Sequence, residues 1–544
     1  MFSFVFKISY KRQRTYKVII NGHEINCPKS NAESISPKIK RHIISNKDLN
    51  EDNDNNSFSI TIPEFENSFI CSDSDYQYFE DIFNTIPVNI SLITKDFLKI
   101  FAREFEIEEL SSMIKMFEQS YELITEDHFL QLQKELHERM TNISEDNYEE
   151  LIDHLCEIKA EYDEINNDFL YNIILTTCLV RSQKIELLMK FLREFEEKTN
   201  GDSFKYFKEL ILTDLKDNPN SNEMRFIVRY LYSIKEISEE KIKLTLTTKT
   251  GKFDDILYEK ENEKILNNIS VENPDFNIMY NIFGQYSMID DRNVFNNDFL
   301  TEYATKGSHP SSIYQSIIND DLDSFSQLIN ENQDTSKLND SFYSIIYERN
   351  TDLFGIEYNY LDLCAFYGSE KIFNFILMND KEIQQTIEAQ TVIFAVSGGN
   401  SSIIHKCVEA VQMDPFIIYK CILKSIQYNR NEVFEWLVET YGLFKKGTDL
   451  YQTLSRFKFV MKEGNNVLEY SIQFNNFETL FYLFSLGIDY QPIFSISMLY
   501  NNFYLANLAL KLPYDCNVSS KKVQVNNYSP FSYNPKNIFF FGIF

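Results

Sequence analysis

The sequence of 544 residues is poor in the features that usually betray a chemistry. Glycine (14) and proline (12) are scarce for this length, which excludes collagen-like and low-complexity classes and fits helices joined by tight polar turns. Positive charge is in deficit: 53 Lys and Arg face 81 Asp and Glu, a net charge of −28. A surface of that sign repels nucleic-acid phosphates and anionic membranes, so neither is expected as a partner. The short basic runs at Lys11–Arg14 and Lys38–Arg41 read as solvated surface. No run of ~18 uninterrupted apolar residues occurs, and the apolar start at Met1–Ile20 is too broken by charge for a signal peptide or a membrane span. Eight cysteines, at 27, 71, 156, 178, 364, 407, 421 and 516, form no Cys-x-x-Cys pair. That is the pattern of reduced core thiols, and it predicts a cytoplasmic location with the nucleus not excluded.

Catalytic signatures are equally thin. The sole Gly-Gly pair, Gly398-Gly399, has no lysine after it and reads as an interhelical turn, not a phosphate loop. The seven histidines (23, 42, 128, 137, 154, 309, 405) make no ligand-spaced pair; His154 with Cys156 supplies two ligands, which do not make a zinc site. His405 reads as a packing residue. The expectation is therefore no catalytic residue, no cofactor and no metal.

What the chain does have is apolar periodicity. A hydrophobic fraction of 43% and an aromatic fraction of 15% suffice for a sizeable core, and at ~100–200 residues per domain the length allows three to four domains. The most regular stretch is Tyr358–Asp380. Leu361, Cys364 and Ala365 lie at i, i+3, i+4 on one short helix, Gly368 reverses the chain, and Ile372, Phe373, Phe375, Ile376 and Leu377 stripe a second. Helices so short cannot bury such stripes alone. The unit recurs, with Gly399 and Ile403 lying 31 residues beyond Gly368 and Ile372, and Val433 30 residues beyond Ile403. Further copies place Asp320-Asp321, Asn429–Asn431, Asn475-Asn476 and Asn501-Asn502 at the reversal. The stripes behind the last three are Val433, Trp436 and Leu437, then Leu480, Leu483 and Phe484, then Leu505, Leu508 and Ala509.

The period approaches the ~33 residues of ankyrin repeats. Leu363-Cys364-Ala365-Phe366-Tyr367-Gly368 resembles the ankyrin segment leucine–alanine–alanine–x–x–glycine, and Leu486-Gly487-Ile488-Asp489 resembles its glycine–alanine–aspartate finger turn. Residues 306–512 look like the divergent ankyrin arrays expanded in single-celled eukaryotes. The threonine–proline–leucine–histidine opening is absent, Asn often stands at the reversal, and a spacing of 47 from Val433 to Leu480 implies an insertion around Phe444–Gly464. An irregular helical domain remains the other reading.

The segment 1–120 reads differently. Tyr16–Ile20 and Glu24–Cys27 form a hairpin across Asn21-Gly22; a helix over Ala32–Ile44, broken near Pro37, follows. Phe58–Ile62 alternates as a strand, and helices are predicted at Tyr76–Ile86, Thr94–Glu104 and Ile107–Phe117, with Thr94 as an N-cap. The run VIINGHEINCPKSNAESISPKI resembles the opening of BTB/POZ-like domains, although Cys27-Pro28-Lys29 stands where a histidine–lysine segment is usual. An unrelated small α+β domain stays open. Residues 121–305 are predicted helical, either a BTB extension or degenerate repeats, with helices at 129–140, 148–162, 169–180, 184–197, 204–215, 223–234, 239–247, 276–284 and 294–303. Residues 513–544 form an irregular aromatic tail expected to fold over the last unit.

The resemblances together imply a mainly α fold, a helical solenoid of ankyrin-like repeats preceded by a small α+β BTB-like domain and a helical linker region. Such a chain is expected to be a non-catalytic scaffold whose array binds other proteins, with 1–120 as an assembly module capable of homodimerising. A substrate adaptor for a cullin-type ubiquitin ligase is the alternative, and an enzyme of unrecognised fold the outsider. Contact positions are expected at Tyr358, Tyr360, Asp380, Asp414, Asp489 and Tyr490, where finger turns and exposed aromatics would meet a partner with a basic surface.

Overall fold

The structure, a computed structural model, describes residues 3–4, 15–47, 57–67, 73–86, 88–162, 164–217, 222–238, 240–242, 307–331, 341–343, 348–350, 352–353, 357–379, 387–442, 467–486 and 492–512. Among these it is mainly helical, with 24 α-helices and seven short strands.

After the short strand β1 (Ser3–Phe4), Asn21 and Gly22 carry the first turn. Their φ of 49° and 85° are both left-handed, as a two-residue I′ hairpin demands and as asparagine and glycine best tolerate. The turn joins β2 (Thr15–Ile20) to β3 (His23–Pro28), with Tyr16 opposite Cys27 and Val18 opposite Ile25. The helical run that follows divides at an extended Ser36 into α1 (Lys29–Ile35) and α2 (Pro37–Lys47), because the residue before a proline is driven out of the helical region. Strand β4 (Ser57–Ile60) then runs parallel to β2 on its other side, giving the order β3–β2–β4. Helices α3 (Glu64–Asn67) and α4 (Asp73–Phe83) lead to β5 (Val88–Asn89), which pairs antiparallel with β1. Next come α5 (Lys95–Phe105) and α6 (Glu108–Thr125). Thr94 does precede α5, but its hydroxyl accepts from the amide of Ser91 at 2.9 Å and leaves the helix amides uncapped. The core here is aromatic, with Phe79 stacked on Phe101 at 4.3 Å and Phe83 edge-on to Phe105 at 5.5 Å.

Helices α7 (His128–Thr141), α8 (Tyr148–Glu161), α9 (Asn167–Val180), α10 (Ile185–Thr199), α11 (Ser203–Asp217) and α12 (Asn222–Ser233) continue the chain. Their apolar stripes meet pairwise: α8 on α10, α9 on α11, α10 on α11, α11 on α12. Asn166 caps α9 by accepting from the amide of Phe169 at 3.0 Å, and Asn200, at φ 48°, closes α10.

Twelve helices follow as six pairs consecutive in sequence: α13 (Ser312–Ile318) with α14 (Leu322–Glu331), α15 (Tyr360–Tyr367) with α16 (Glu370–Asn379), and α17 (Ala389–Gly398) with α18 (Ser401–Ala410). Then come α19 (Pro415–Gln427) with α20 (Asn431–Thr440), α21 (Val467–Gln473) with α22 (Phe477–Ser485), and α23 (Ile493–Leu499) with α24 (Phe503–Ala509). In the first four pairs the two helices pack on one another. A small hairpin, β6 (Ser341–Tyr343) with β7 (Glu357–Asn359), sits between the first two pairs. Every pair turns on one left-handed residue: Asp320, Gly368, Gly399, Asn429, Asn475 and Asn501, with φ between 49° and 79°. The first helices of successive pairs pack on one another from α13 through α15, α17 and α19 to α21, and the second helices from α14 through α16 to α18. Gly398 is what lets α17 approach α15, since a Cβ there would stand 2.2 Å from the carbonyl oxygen of Ala365.

Leu363, Cys364, Ala365, Ile372, Ile376, Ile403, Leu437, Leu480, Leu483, Leu505 and Leu508 are all buried. In α20 the buried stripe is Phe434, Leu437 and Val438, while Val433 and Trp436 are half-buried, one position off the expected register. The helix begins at Asn431, which turns the 434/437/438 face inward.

Contacts divide the chain into two compact units. One comprises Met1–Leu132, Phe477–Ile496 and Phe503–Val523. Within it α22 packs on α6, the amide of Leu92 donates to the carbonyl of Ser485 at 2.9 Å, and the Tyr504 hydroxyl donates to the Asp127 carboxylate at 3.0 Å. The other comprises Gln133–Asn476, Ser497–Asn502 and Gln524–Phe544, and holds α8–α21. The expected helices at 276–284 and 294–303, most of that at 239–247, the insertion at 444–464, Gly487 and the tail at 513–544 lie outside the described residues. No helix among the described residues is long and apolar enough to cross a membrane.

Candidate protein-binding surface

The helix pairs present two edges, one made by the interhelical turns and one by the opposite helix ends. The turn edge is cross-linked from pair to pair. Amides of Lys371 and Ile372 donate to the Asp320 carboxylate at 3.2 and 3.1 Å, and the Ser369 hydroxyl donates to the Ile317 carbonyl at 2.5 Å. Asn400 Nδ2 donates to the Gly368 carbonyl at 3.4 Å, and Arg430 Nε to that of Ser397 at 3.1 Å. Asn476 Nδ2 donates to the Ile426 carbonyl at 3.1 Å. The Asp320 carboxylate satisfies two amides at the start of α16 and the other bonds satisfy carbonyls at helix ends, groups a helix would otherwise leave orphaned; together they lock the turns of the first five pairs each to the one before.

Part of this edge is also covered. Asn429 Nδ2 lies 2.8 Å from His137 Nε2 on α7, and Arg181 Nη2, just past α9, donates to the Tyr428 carbonyl at 3.1 Å. Asn475 Nδ2 donates to Asn172 Oδ1 at 2.5 Å and Thr176 Oγ1 at 3.1 Å on α9, while Asn172 Nδ2 donates to the Tyr500 carbonyl at 2.9 Å. Burial, with the Arg181 charge adding to it, pushes the His137 imidazole down to about 4, so the ring is neutral at pH 7. The turns at 428–430, 475 and 500 therefore have an intramolecular occupant.

The opposite edge is built from caps. Asn359 Oδ1 accepts from the amide of Asp362 at 2.8 Å while Asp362 Oδ2 accepts from the amide of Asn359 at 3.2 Å, a reciprocal capping box on α15. The other oxygen of Asp362 accepts from the Thr391 hydroxyl at 2.6 Å, tying α15 to α17. Burial raises the Asp362 carboxyl above the ordinary range and that hydroxyl partly restores it. Asp414 caps α19 by accepting from the amide of Ile417 at 2.8 Å, with Pro415 in the first turn.

Two large apolar side chains stand out at this edge: Met378, in the last turn of α16, is 80% exposed, and Phe416, in the first turn of α19, is 46% exposed. Each lies off its helix's buried stripe, which runs through Ile372, Phe373 and Ile376 in α16 and through Ile417, Ile418, Cys421 and Ile422 in α19. Neither residue is among the positions the sequence points to; a helical wheel, which puts Met378 about 200° from Ile376, is the signal that would find it.

Tyr358 and Tyr360 are not exposed anchors. They are 1% and 3% exposed, packed on Phe342 at 6.2 and 5.2 Å between ring centroids, and Tyr360 also meets Phe325 edge-on. The β6–β7 hairpin, not foreseen in the sequence, folds over them. Asp414 is exposed as expected, but its carboxylate already serves the helix. Asp380, Asp489 and Tyr490 lie outside the described residues. His405 is exposed and edge-on to Trp436 at 5.4 Å, and His154 faces Glu135 at 3.5 Å. Among the described residues no three His, Cys, Asp or Glu side chains gather as a metal site.

No family model, no curated protein and no solved structure matches this chain.

Proposed function

We propose that the chain is a protein-interaction scaffold in which the six helix pairs act as an ankyrin-like array and the hairpin-bearing N-terminal segment 1–120 as a BTB-like assembly module. The observation that carries this reading is the contrast between the two edges among the described residues. Part of the turn edge is covered by α7 and α9, whereas the opposite edge exposes Met378 in the last turn of α16 and Phe416 next to the Asp414 cap of α19. Exposed apolar side chains suit a partner that supplies an apolar anchor. The net charge of −28 would hasten encounter with a partner of basic surface. The reading is non-catalytic, with no cofactor called for.

The test compares proteins retained by the full chain and by a Met378→Asp, Phe416→Asp double variant. Both side chains are solvated, so the helical circular dichroism and the melting curve should not change. The scaffold reading expects at least one abundant bound protein to disappear with the variant. An identical set of bound proteins would remove this edge as the binding surface.

A further inference from the structure

Positive charge is scarce in this chain, yet Arg181 lies close enough to Arg430 on one side and to Lys184 on the other for their like charges to interact. Arg181 follows α9, Lys184 stands one helical step later in the Ser182–Lys184 turn, and Arg430 opens the approach to α20. Arg181 donates from Nη1 to the Val180 carbonyl and from Nη2 to the Tyr428 carbonyl, both at 3.1 Å. Lys184 Nζ donates to the carbonyls of Thr141 at 3.2 Å and Ile143 at 2.7 Å. Arg430 Nε donates to the Ser397 carbonyl at 3.1 Å, and its guanidinium lies flat over Gly399, where an added Cβ would come within 2.5 Å of Nε.

All five acceptors are neutral carbonyls at the C-terminal ends of α7, α9, α17 and α19. Helix C-termini carry roughly half a negative charge each, so four of them offset about two of the three cations. Among the described residues no carboxylate pairs with Arg181, Lys184 or Arg430; Tyr428 favours the charge of both arginines, while Arg181 feels the like charge of Arg430. Burial in the first place, and this repulsion in the second, depress Arg181 to about 10; burial likewise lowers Lys184 and Arg430. Arg181, Lys184 and Arg430 are each only part-buried, so solvent reaches all three side chains. Surplus positive charge, pre-positioned donors and access from solvent are what an oxyanion needs.

We propose that Arg181, Lys184 and Arg430 form a binding site for a small phosphate-type oxyanion, set at the junction of α9 with the fourth helix pair. The anion would bridge the two guanidinium groups and supply the missing charge, which would tie occupancy of the site to the fit of α7 and α9 on the turn edge.

The test is calorimetric titration of the full chain with inorganic phosphate, repeated with sodium chloride at matched ionic strength, alongside melting curves in both. The site predicts a single phosphate-binding event and a rise in melting temperature that chloride does not reproduce. Arg430→Gln should weaken phosphate binding by about tenfold or more, the loss of one charge-assisted contact. Arg430→Lys, which keeps the charge and loses the planar fork, should weaken it less, and Arg103→Gln, remote and solvent-exposed, should leave it unchanged. If Arg430→Gln fails to fold, the wild-type titration and the Arg430→Lys variant decide the matter. Absence of any phosphate effect beyond that of chloride, or equal binding by wild type and the Arg430 variants, would overturn the proposal.

Discussion

Asn429 Nδ2 and His137 Nε2 meet 2.8 Å apart although 292 positions separate them in the chain. The Asn429 amide faces a ring that is neutral at pH 7. Asn429 is also the left-handed residue of its turn, at φ 53°. One side chain thus closes a helix pair and fastens α7 to it.

Burial of the His137 ring, with the Arg181 charge adding to it, makes stability sensitive to acid. His137 has a folded value of about 4 against an unfolded one of 6.5, so between these the unfolded chain binds more protons. Stability is fully present above about pH 6.5 and is lost as the pH falls towards 4, by about 3 kcal/mol for a shift of this size. His309, pushed down to about 4 by burial, acts in the same direction. Urea melts at pH 7 and pH 5 should show the loss, and His137→Gln should remove part of the difference. A difference as large in His137→Gln as in wild type would mean the ring does not titrate as described.

Asn475 has the same double duty, with φ 51° and bonds to Asn172 and Thr176. Asn475→Gly keeps the turn but strands buried partners, at about 1–3 kcal/mol. Asn475→Ala adds the left-handed strain of a Cβ, about 1–2 kcal/mol more. Chemical denaturation should therefore rank wild type above Gly and Gly above Ala.

The glycines of the second and third pairs should respond differently to the same change. Gly368→Ala makes only ordinary contacts, with Asn400 Cβ at 3.6 Å and the Gly398 carbonyl at 3.7 Å, and costs its φ of 73°, about 1–2 kcal/mol. Gly398→Ala drives a methyl to 2.2 Å from the Ala365 carbonyl and 3.0 Å from that of Phe366. Backbone must move, at about 3 kcal/mol or more. Equal melting temperatures for the two variants would contradict the close approach of α17 to α15.

Thr391→Val removes the hydroxyl that bonds buried Asp362 at 2.6 Å and should cost about 1–3 kcal/mol. Asp362→Asn cannot develop the charge, so adding Thr391→Val to it should cost less than in wild type. Additive losses in this double-mutant cycle would show that the pair does not interact.

Much of the helical layout was legible because its signals are local. The expected helices at 148–162 and 169–180 fall within a residue or two of α8 and α9, and the Asn21-Gly22 hairpin appears where its turn chemistry requires. The six reversals were legible too, since Gly, Asn and Asp are the residues that enter the left-handed region cheaply. Illegible were the relations between distant segments. Nothing in the spacing of Asn429 or Asn475 says that α7 and α9 will cover them. Tyr358 and Tyr360 looked solvent-facing because the hairpin strand that shields them, Ser341–Tyr343, is three residues long and carries no period. Met378 and Phe416 were not singled out either, since each is an apolar residue off the buried stripe of a largely apolar helix.

The central claim is that partners bind the edge carrying Met378 and Phe416 and not the turn edge. Hydrogen exchange of the full chain, alone and with a protein recovered through the Met378/Phe416 comparison, tests it directly. The account predicts that slowed exchange on binding concentrates in the last turn of α16 and the first turn of α19, with the turns at Asn429 and Asn475 unchanged. Protection confined to the interhelical turns, or to residues 15–125, would contradict it.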